Sequence, residues 1–186
     1  MEDKIRCQWC IGDALYQQYH DSEWGKPTYD DQILFEFIIL ESFQAGLSWI
    51  TILKKRENFR EAFDNFNYKK IAKYNDGKIA ELMQNAGIIR SELKIKSAIS
   101  NAKAFIEIQK EFGSFSKYIW NFVNHKPIIN HPQTFKDVPA TTPLSEKISK
   151  DLKKRGFKFV GPTIVYAYMQ AVGIVNDHVA DCFTRK

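Results

Sequence analysis

Residues Ile33-Leu34-Phe35-Glu36-Phe37-Ile38-Ile39-Leu40 form an apolar run that reads as a helix, with Asp30 or Asp31 able to cap its start. Ile33, Phe37 and Glu41 are spaced by four, so Glu41 shares a helical face with two large apolar residues. A carboxylate on a core-facing stripe is costly unless something pairs with it. Gln44 follows, then Ala45-Gly46, a small pair able to break the helix, then Leu47 and Trp49. A buried acid, an indole and a turn that pushes a leucine outward suit a pocket for a flat, polar ring. The structural alternative is a salt-bridged Glu41 beside a core Trp49.

The rest of the chain is punctuated for helices. Trp49 to about Phe63 reads as one helix, with Lys54, Lys55, Arg56 and Arg60 on its polar face. A short helix follows from about Tyr68 to Tyr74. Asp76 caps Gly77 to Ala86, with Gly87 as the residue past the end, and Ser91 caps a long helix to about Glu111 that Gly113 ends. Phe115 to Val123 is another short helix. Pro127, Pro132 and Pro139 mark 124–142 as a long loop. Pro143 opens a helix to Arg155 and Pro162 one to about Val172. Residues 1–29 read as irregular and rich in aromatics, and Ile128-Ile129 is too short for a strand. The class is all-α.

A chain of 186 residues suits a single domain, 1–186, and needs no disulfides to fold. Its net charge of +5 admits a nucleic-acid partner without requiring one. No apolar run is long enough to cross a membrane, and Met1-Glu2-Asp3-Lys4 lacks a signal-peptide shape. The three cysteines therefore read as cytosolic thiols or metal ligands.

Three features can carry chemistry. Lys153-Lys154-Arg155-Gly156-Phe157-Lys158-Phe159-Val160-Gly161-Pro162 links two helices by a turn with glycine at both ends, like a helix-hairpin-helix at about 153–163. Glycines let the backbone approach a phosphate, the next helix start presents free N–H groups, and Lys153, Lys154, Arg155 and Lys158 add charge. A solvated basic helix end is the alternative. His178 and Cys182 are spaced as on one helical face, and with Cys7 and His20 they make a Cys2His2 set suited to structural zinc. Cys7 and Cys10 form a rival pair, and unrelated thiols and histidines are the plainer reading. Trp9, Tyr16, Tyr19, Trp24 and Trp49 could stack a base, with Glu41 accepting from an exocyclic amine. The same aromatics could instead plug the end of a helical bundle.

Cys7, Trp9, Leu15-Tyr16, Tyr19-His20-Asp21, Glu23-Trp24-Gly25, Gln44 to Trp49, Lys54 to Asn58, Ala86 to Arg90, Phe122 to His125, Lys153 to Gly161 and Val175 to His178 together resemble the bacterial 3-methyladenine DNA glycosylase I family. The resemblance runs in order from Cys7 to Cys182. It implies a helix-hairpin-helix glycosylase fold with two helical lobes around a cleft. It also implies a structural zinc on Cys7, His20, His178 and Cys182, which decides against Cys10. The implied base pocket is Glu41, Trp49, Tyr19 and Tyr16, with Trp9 and Trp24 nearby. Leu47 would wedge into the DNA, with Gln44 and the hairpin also at the DNA. The implied partner is double-stranded alkylated DNA, the product is free 3-methyladenine, and the protein would be a cytoplasmic monomer. Two departures stand out. Phe183-Thr184-Arg185-Lys186 is shorter than the family's tail and lacks its further cysteines. The superfamily's water-assisting aspartate has no clear counterpart, so Asp177 is given no catalytic role.

The implied reaction is hydrolysis, with Glu41 reading the base edge, Trp49 stacking and Tyr19 hydrogen-bonding. No lysine occupies a nucleophile position, so the expected product is an abasic site. The rivals are a non-enzymatic zinc-stapled DNA-binding module and a helical protein-interaction domain.

Overall fold

The computed structural model describes residues 4–185; Met1, Glu2, Asp3 and Lys186 lie outside them. At its centre is α2 (Asp31–Gln44), capped by Asp30, whose carboxylate accepts from the Ile33 N–H at 3.0 Å. Every residue from Leu34 to Phe43 is buried. A helix apolar on all sides has to be surrounded, and α2 packs against α3 (Trp49–Lys54), α7 (Glu92–Phe112), α8 (Phe115–Asn121) and α10 (Pro162–Ala171). Around this frame lie α4 (Arg56–Ala62), α5 (Tyr68–Ile71), α6 (Asp76–Gln84) and α9 (Pro143–Lys154). The structure is mostly helical, as expected.

Several local expectations need correcting. The aromatic segment read as irregular contains α1 (Ala14–Ser22), capped by Asp13, which accepts from the Tyr16 N–H at 3.1 Å. Its inward stripe is Tyr16, Tyr19 and His20 rather than aliphatic residues, so the usual apolar period is hidden. The helix expected over 49–63 breaks at Lys55 (φ −102°, ψ 1°). One member of the supposed polar face then turns inward: Arg56 donates to Glu36 at 2.6 Å and to Glu23 at 2.8 Å, nearly out of solvent. Lys55 and Asn58 donate to the Gly87 carbonyl, both at 3.2 Å. Asn75, not Asp76, caps α6, and Asn85 ends it, so Gly87 is not its terminator. A Cβ on Gly87 would stand 3.1 Å from the Asn58 side chain, which gives this glycine a packing reason.

Ile128–Ile129 (β1) does form a strand, pairing in parallel with Val175–Asn176 (β2). Two residues cannot show an alternating pattern, and the partner lies far along the chain. Residues 177–182, directly after β2, are not helical, so His178 and Cys182 do not share a helix face. Gly173 (φ +72°) lets the N-terminal segment press on the end of α10, since a Cβ there would fall 2.1 Å from the Lys26 carbonyl carbon. The Gly25 and Thr28 N–H groups complete this seam by donating to Gln170 and Val172 at 2.9 and 3.1 Å.

Candidate active site

Between α1, α2, α3 and α10 lies a cavity of about 260 Å³, lined by Trp9, Tyr16, Tyr19, Trp24, Glu41, Gln44, Trp49, Phe135, Ala167 and Gln170. Glu41 comes from the last full turn of α2, where the backbone is fixed by burial on all sides. It is only 3% exposed, and its Oε2 has no hydrogen-bond partner. Burial alone pushes its carboxyl up to about 8. The Nε1 groups of Trp9 and Trp49 are buried and unpartnered too. Unsatisfied buried polar groups are rare in native proteins, and here an acid and two indole N–H donors belong to residues lining one cavity. The salt-bridged alternative for Glu41 is therefore absent among the described residues.

The walls are aromatic. Trp9 meets Tyr16 edge-on at 4.7 Å and Trp24 at 4.9 Å between ring centroids, and Tyr19 lies 5.5 Å from Trp49. Phe37 stacks behind Trp49 at 6.3 Å, fixing its plane. Burial, then the nearby Glu41, raises the Tyr16 phenol to about 12, so it stays a neutral donor. Such a slot accepts a flat heteroaromatic ring with polar edges.

Behind Trp9 and Trp24 sits a thiol-imidazole cluster. The ligand atoms of Cys7, His20 and Cys182 all lie within 4.8 Å of one another, and the His20 Nε2 is 3.3 Å from the Cys182 Sγ. Asp21 sits 2.8 Å from His20 Nδ1 and is itself held by Arg6 at 2.8 Å. His178 falls outside that three-residue group, but its ring lies 4.9 Å from that of His20. Its Nε2 is buried and unpartnered. Gly25 makes room for it, since a Cβ there would be 2.8 Å from the imidazole. Cys10 donates its thiol to the Cys7 carbonyl at 3.1 Å and is not in the group. Two buried thiols, with imidazoles whose Nδ1 atoms are already engaged, are a donor set that fits a thiophilic divalent metal.

Leu47 projects from the turn after α2, 41% exposed, with Gly46 at φ +82° making the reversal. In the link between α9 and α10, Gly156 adopts φ +97° and Gly161 φ −62°, and a Cβ on either would meet nothing within 4 Å. Lys153, Lys154 and Lys158 are exposed. Arg155 is not free: it donates to Asp151 at 2.8 Å and to Glu111 at 2.6 Å, and lies over the Phe112 and Tyr118 rings. In this structure its guanidinium ties α9 to α7.

A family model described as methyladenine glycosylase matches residues 9–185. The chain belongs to the methyladenine glycosylase family. It is 52% identical to the DNA-3-methyladenine glycosylase of Haemophilus influenzae over 177 residues, covering 95% of this chain and 96% of that one. It is 50% identical to DNA-3-methyladenine glycosylase 1 of Escherichia coli, covering 95% of each. A crystal structure of a 3-methyladenine DNA glycosylase I superposes with a TM-score of 0.94 at 49% identity, covering 96% of this chain and 98% of that one. The Staphylococcus aureus enzyme, solved to explain its 3-methyladenine recognition, superposes with a TM-score of 0.94 at 38% identity, covering 97% and 96%.

In this methyladenine glycosylase family member, every residue expected at the base pocket lines one cavity. The sequence reading missed Phe135, Ala167 and Gln170. Phe135 comes from the long loop, on a short turn held by Thr134 and Asp137, and nothing local marks it. Asp177 is buried and held by three donors: Asn130, Tyr166 and Gln170 each donate to it at 2.7 Å. A carboxylate so engaged ties the end of β2 to α10.

Proposed function

We propose that this chain is a monofunctional DNA glycosylase that hydrolyses the N-glycosidic bond of 3-methyladenine in alkylated double-stranded DNA. The carrying observation is the aromatic cavity in which Glu41 Oε2 and two indole N–H groups lack partners. One structure of a family member, 37% identical, holds 3-methyladenine.

The target base must leave the duplex, at a cost of a few kcal/mol. Leu47 fills the vacated stack with Gln44 beside it. Lys153, Lys154, Lys158 and the backbone at Gly156 and Gly161 hold the phosphates. The base enters between Trp49 and the Tyr16–Trp9 wall and brings positive charge, because methylation at N3 makes adenine cationic. That charge supplies what burial denies Glu41, and it favours the carboxylate over the acid. Neutral adenine supplies none, so discrimination lies in this pairing. The bond from C1′ to the base breaks and its electron pair leaves with the base, discharging the cation. Water adds to C1′ and loses a proton, giving an abasic site and free 3-methyladenine. Orientation and electrostatics carry the rate. The lining contains no lysine among the described residues, which agrees with water rather than an amine as nucleophile.

Cys7, His20 and Cys182, joined by His178, would hold one structural Zn²⁺ per chain. When bound it would cross-link the N-terminal aromatic segment to the C-terminal one and supply no reaction chemistry. In this reading residues 1–186 form one domain, two helical lobes flank the cavity, and the protein acts as a cytoplasmic monomer. Among the described residues no helix is long and apolar enough to cross a membrane.

Methylated duplex DNA incubated with wild type should release free 3-methyladenine, and Glu41→Ala should release far less. Borohydride should trap no covalent adduct. No release by the wild type would leave a zinc-stapled DNA-binding module as the reading. Equal release by the variant would remove Glu41 from the reaction.

A further inference from the structure

The turn that carries Leu47 and the hairpin turn are both irregular, yet both are tied to the same face of α7. The Lys94 ammonium donates to the carbonyls of Phe43 at 2.8 Å and Ala45 at 2.7 Å, the groups that α2 leaves open where it ends. An ammonium at a helix C-terminus is also favoured by the dipole. Asn101, fully buried, accepts from the Lys158 N–H at 2.8 Å and donates to the Lys158 carbonyl at 3.1 Å. Lys94 and Asn101 are seven residues apart, two turns along one face, which sets their Cα atoms roughly 10 Å apart. Ser97, buried, lies between them. Each side chain spends its polar atoms on the backbone of a loop rather than on α7's own packing.

We propose that α7 is a strut that fixes the spacing between the Leu47 turn and the hairpin, with Lys94 and Asn101 as positioning residues. The inference rests on the DNA-contacting roles proposed above for those two loops. A wedge enters a duplex only where the phosphates are held at a matching distance, and small misplacements are costly in rate. Hanging both loops on one long helix makes that distance a property of a rigid element. Glu41 and Trp49 do not depend on either tether, because the core already holds them.

The test uses full-length wild type, Lys94→Met, Lys94→Arg, Asn101→Leu and the Lys94→Met/Asn101→Leu double variant. It reads single-turnover excision from methylated duplex, and free 3-methyladenine binding by tryptophan fluorescence. Each single variant should lose about tenfold in duplex excision, in line with loss of a charge-assisted or bidentate contact. Free-base affinity should stay at the wild-type value, and Lys94→Arg should recover part of the rate. Residues this far apart without shared partners ordinarily act additively. A strut instead predicts that the double variant loses much less than about a hundredfold, because one lost tether already frees the spacing. Excision by Lys94→Met at the wild-type rate overturns the strut, as does equal loss of duplex excision and free-base binding. If Asn101→Leu does not fold, those two outcomes for Lys94→Met decide alone. A wild type that excises nothing would sink the proposed function instead.

Discussion

Asn176 Oδ1 lies 2.8 Å from His178 Nδ1, which commits that nitrogen to donate and leaves Nε2 as the free lone pair. The same arrangement holds for His20, where Asp21 takes Nδ1. Both imidazoles are thus set in the tautomer a metal needs, and His178 Nε2 has no protein partner to satisfy it. Purified protein should contain one zinc per chain by elemental analysis. Cys182→Ala should lose it, while Cys10→Ser should keep it. Metal present at about a thousandfold above Kd stabilises by about 4 kcal/mol, so chelation should lower Tm by roughly 10 °C at about 2–4 °C per kcal/mol. A metal-free wild type with unchanged Tm would overturn the staple.

Glu41 titrates in the opposite sense to a paired carboxylate. Its folded pKa stands at about 8 against an ordinary 4.5, because burial disfavours the anion. The stability tied to this group is therefore fully present below about pH 4.5 and is lost as pH rises through about 8. Within that window the wild type should lose up to about 1.4 kcal/mol per pH unit, and Glu41→Gln should lack that part of the slope. Activity should run the other way. The kcat/KM of the wild type on methylated duplex should rise from pH 6 to 8, as the anion that pairs with a cationic base becomes populated. Glu41→Gln should be slower by roughly 10- to 100-fold and flat over the same range. Thermal melts and initial rates in a common buffer series check both signs.

The candidate site was legible where one residue type has one plausible job. A carboxylate four residues after Phe37 on an apolar helix had to be either paired or functional. The hairpin was legible because glycine and proline punctuate it. Local geometry was legible where caps and breakers are explicit, as at Asp30, Ser91, Gly113, Pro143 and Pro162. The helix carrying Tyr16, Tyr19 and His20 was not, because its buried stripe is aromatic and partly polar. Phe135 and Gln170 were not legible, since a loop and a distant helix bring them to the cavity. The basic cluster at 54–60 shows the opposite failure. Its charges looked solvated, but the break at Lys55 directs Arg56 to Glu36 and Glu23, contacts made across the fold rather than along a helix.

That buried pairing gives a stability prediction independent of the reaction. Arg56 and Glu36 have side chains only 9% and 10% exposed. Removing one partner of such a pair leaves an uncompensated charge, with losses of about 3–5 kcal/mol. Arg60, also on Glu36 at 2.8 Å, moderates the loss. Arg56→Met should be destabilised by about 3 kcal/mol in urea unfolding. A double Arg56→Met/Glu36→Met variant should recover part of it, because the buried acid left with only one of its two arginines is gone. A double variant weaker than Arg56→Met would show that the pair contributes more than mutual neutralisation.

The two hairpin glycines separate fold from function. Gly156 sits at φ +97°, where any side chain is strained, so Gly156→Ala should cost about 1 kcal/mol. Gly161 sits at φ −62° at the start of α10, and an added Cβ meets nothing within 4 Å. Nothing inside the protein requires glycine there. In the proposed clamp, the space a side chain would take there is given to a phosphate drawn up to the N–H groups that open α10. Gly161→Ala should therefore keep or slightly raise Tm, through a less disordered unfolded chain. It should keep free 3-methyladenine affinity and weaken duplex binding. Its slope of log affinity against log salt should stay near that of wild type, because no cation has been removed. Lys158→Ala should instead reduce that slope by about one. Fluorescence anisotropy across a salt series reads all three proteins together. A Gly161→Ala variant with wild-type duplex affinity would remove the backbone approach from the proposed clamp and leave the lysines to hold the DNA alone.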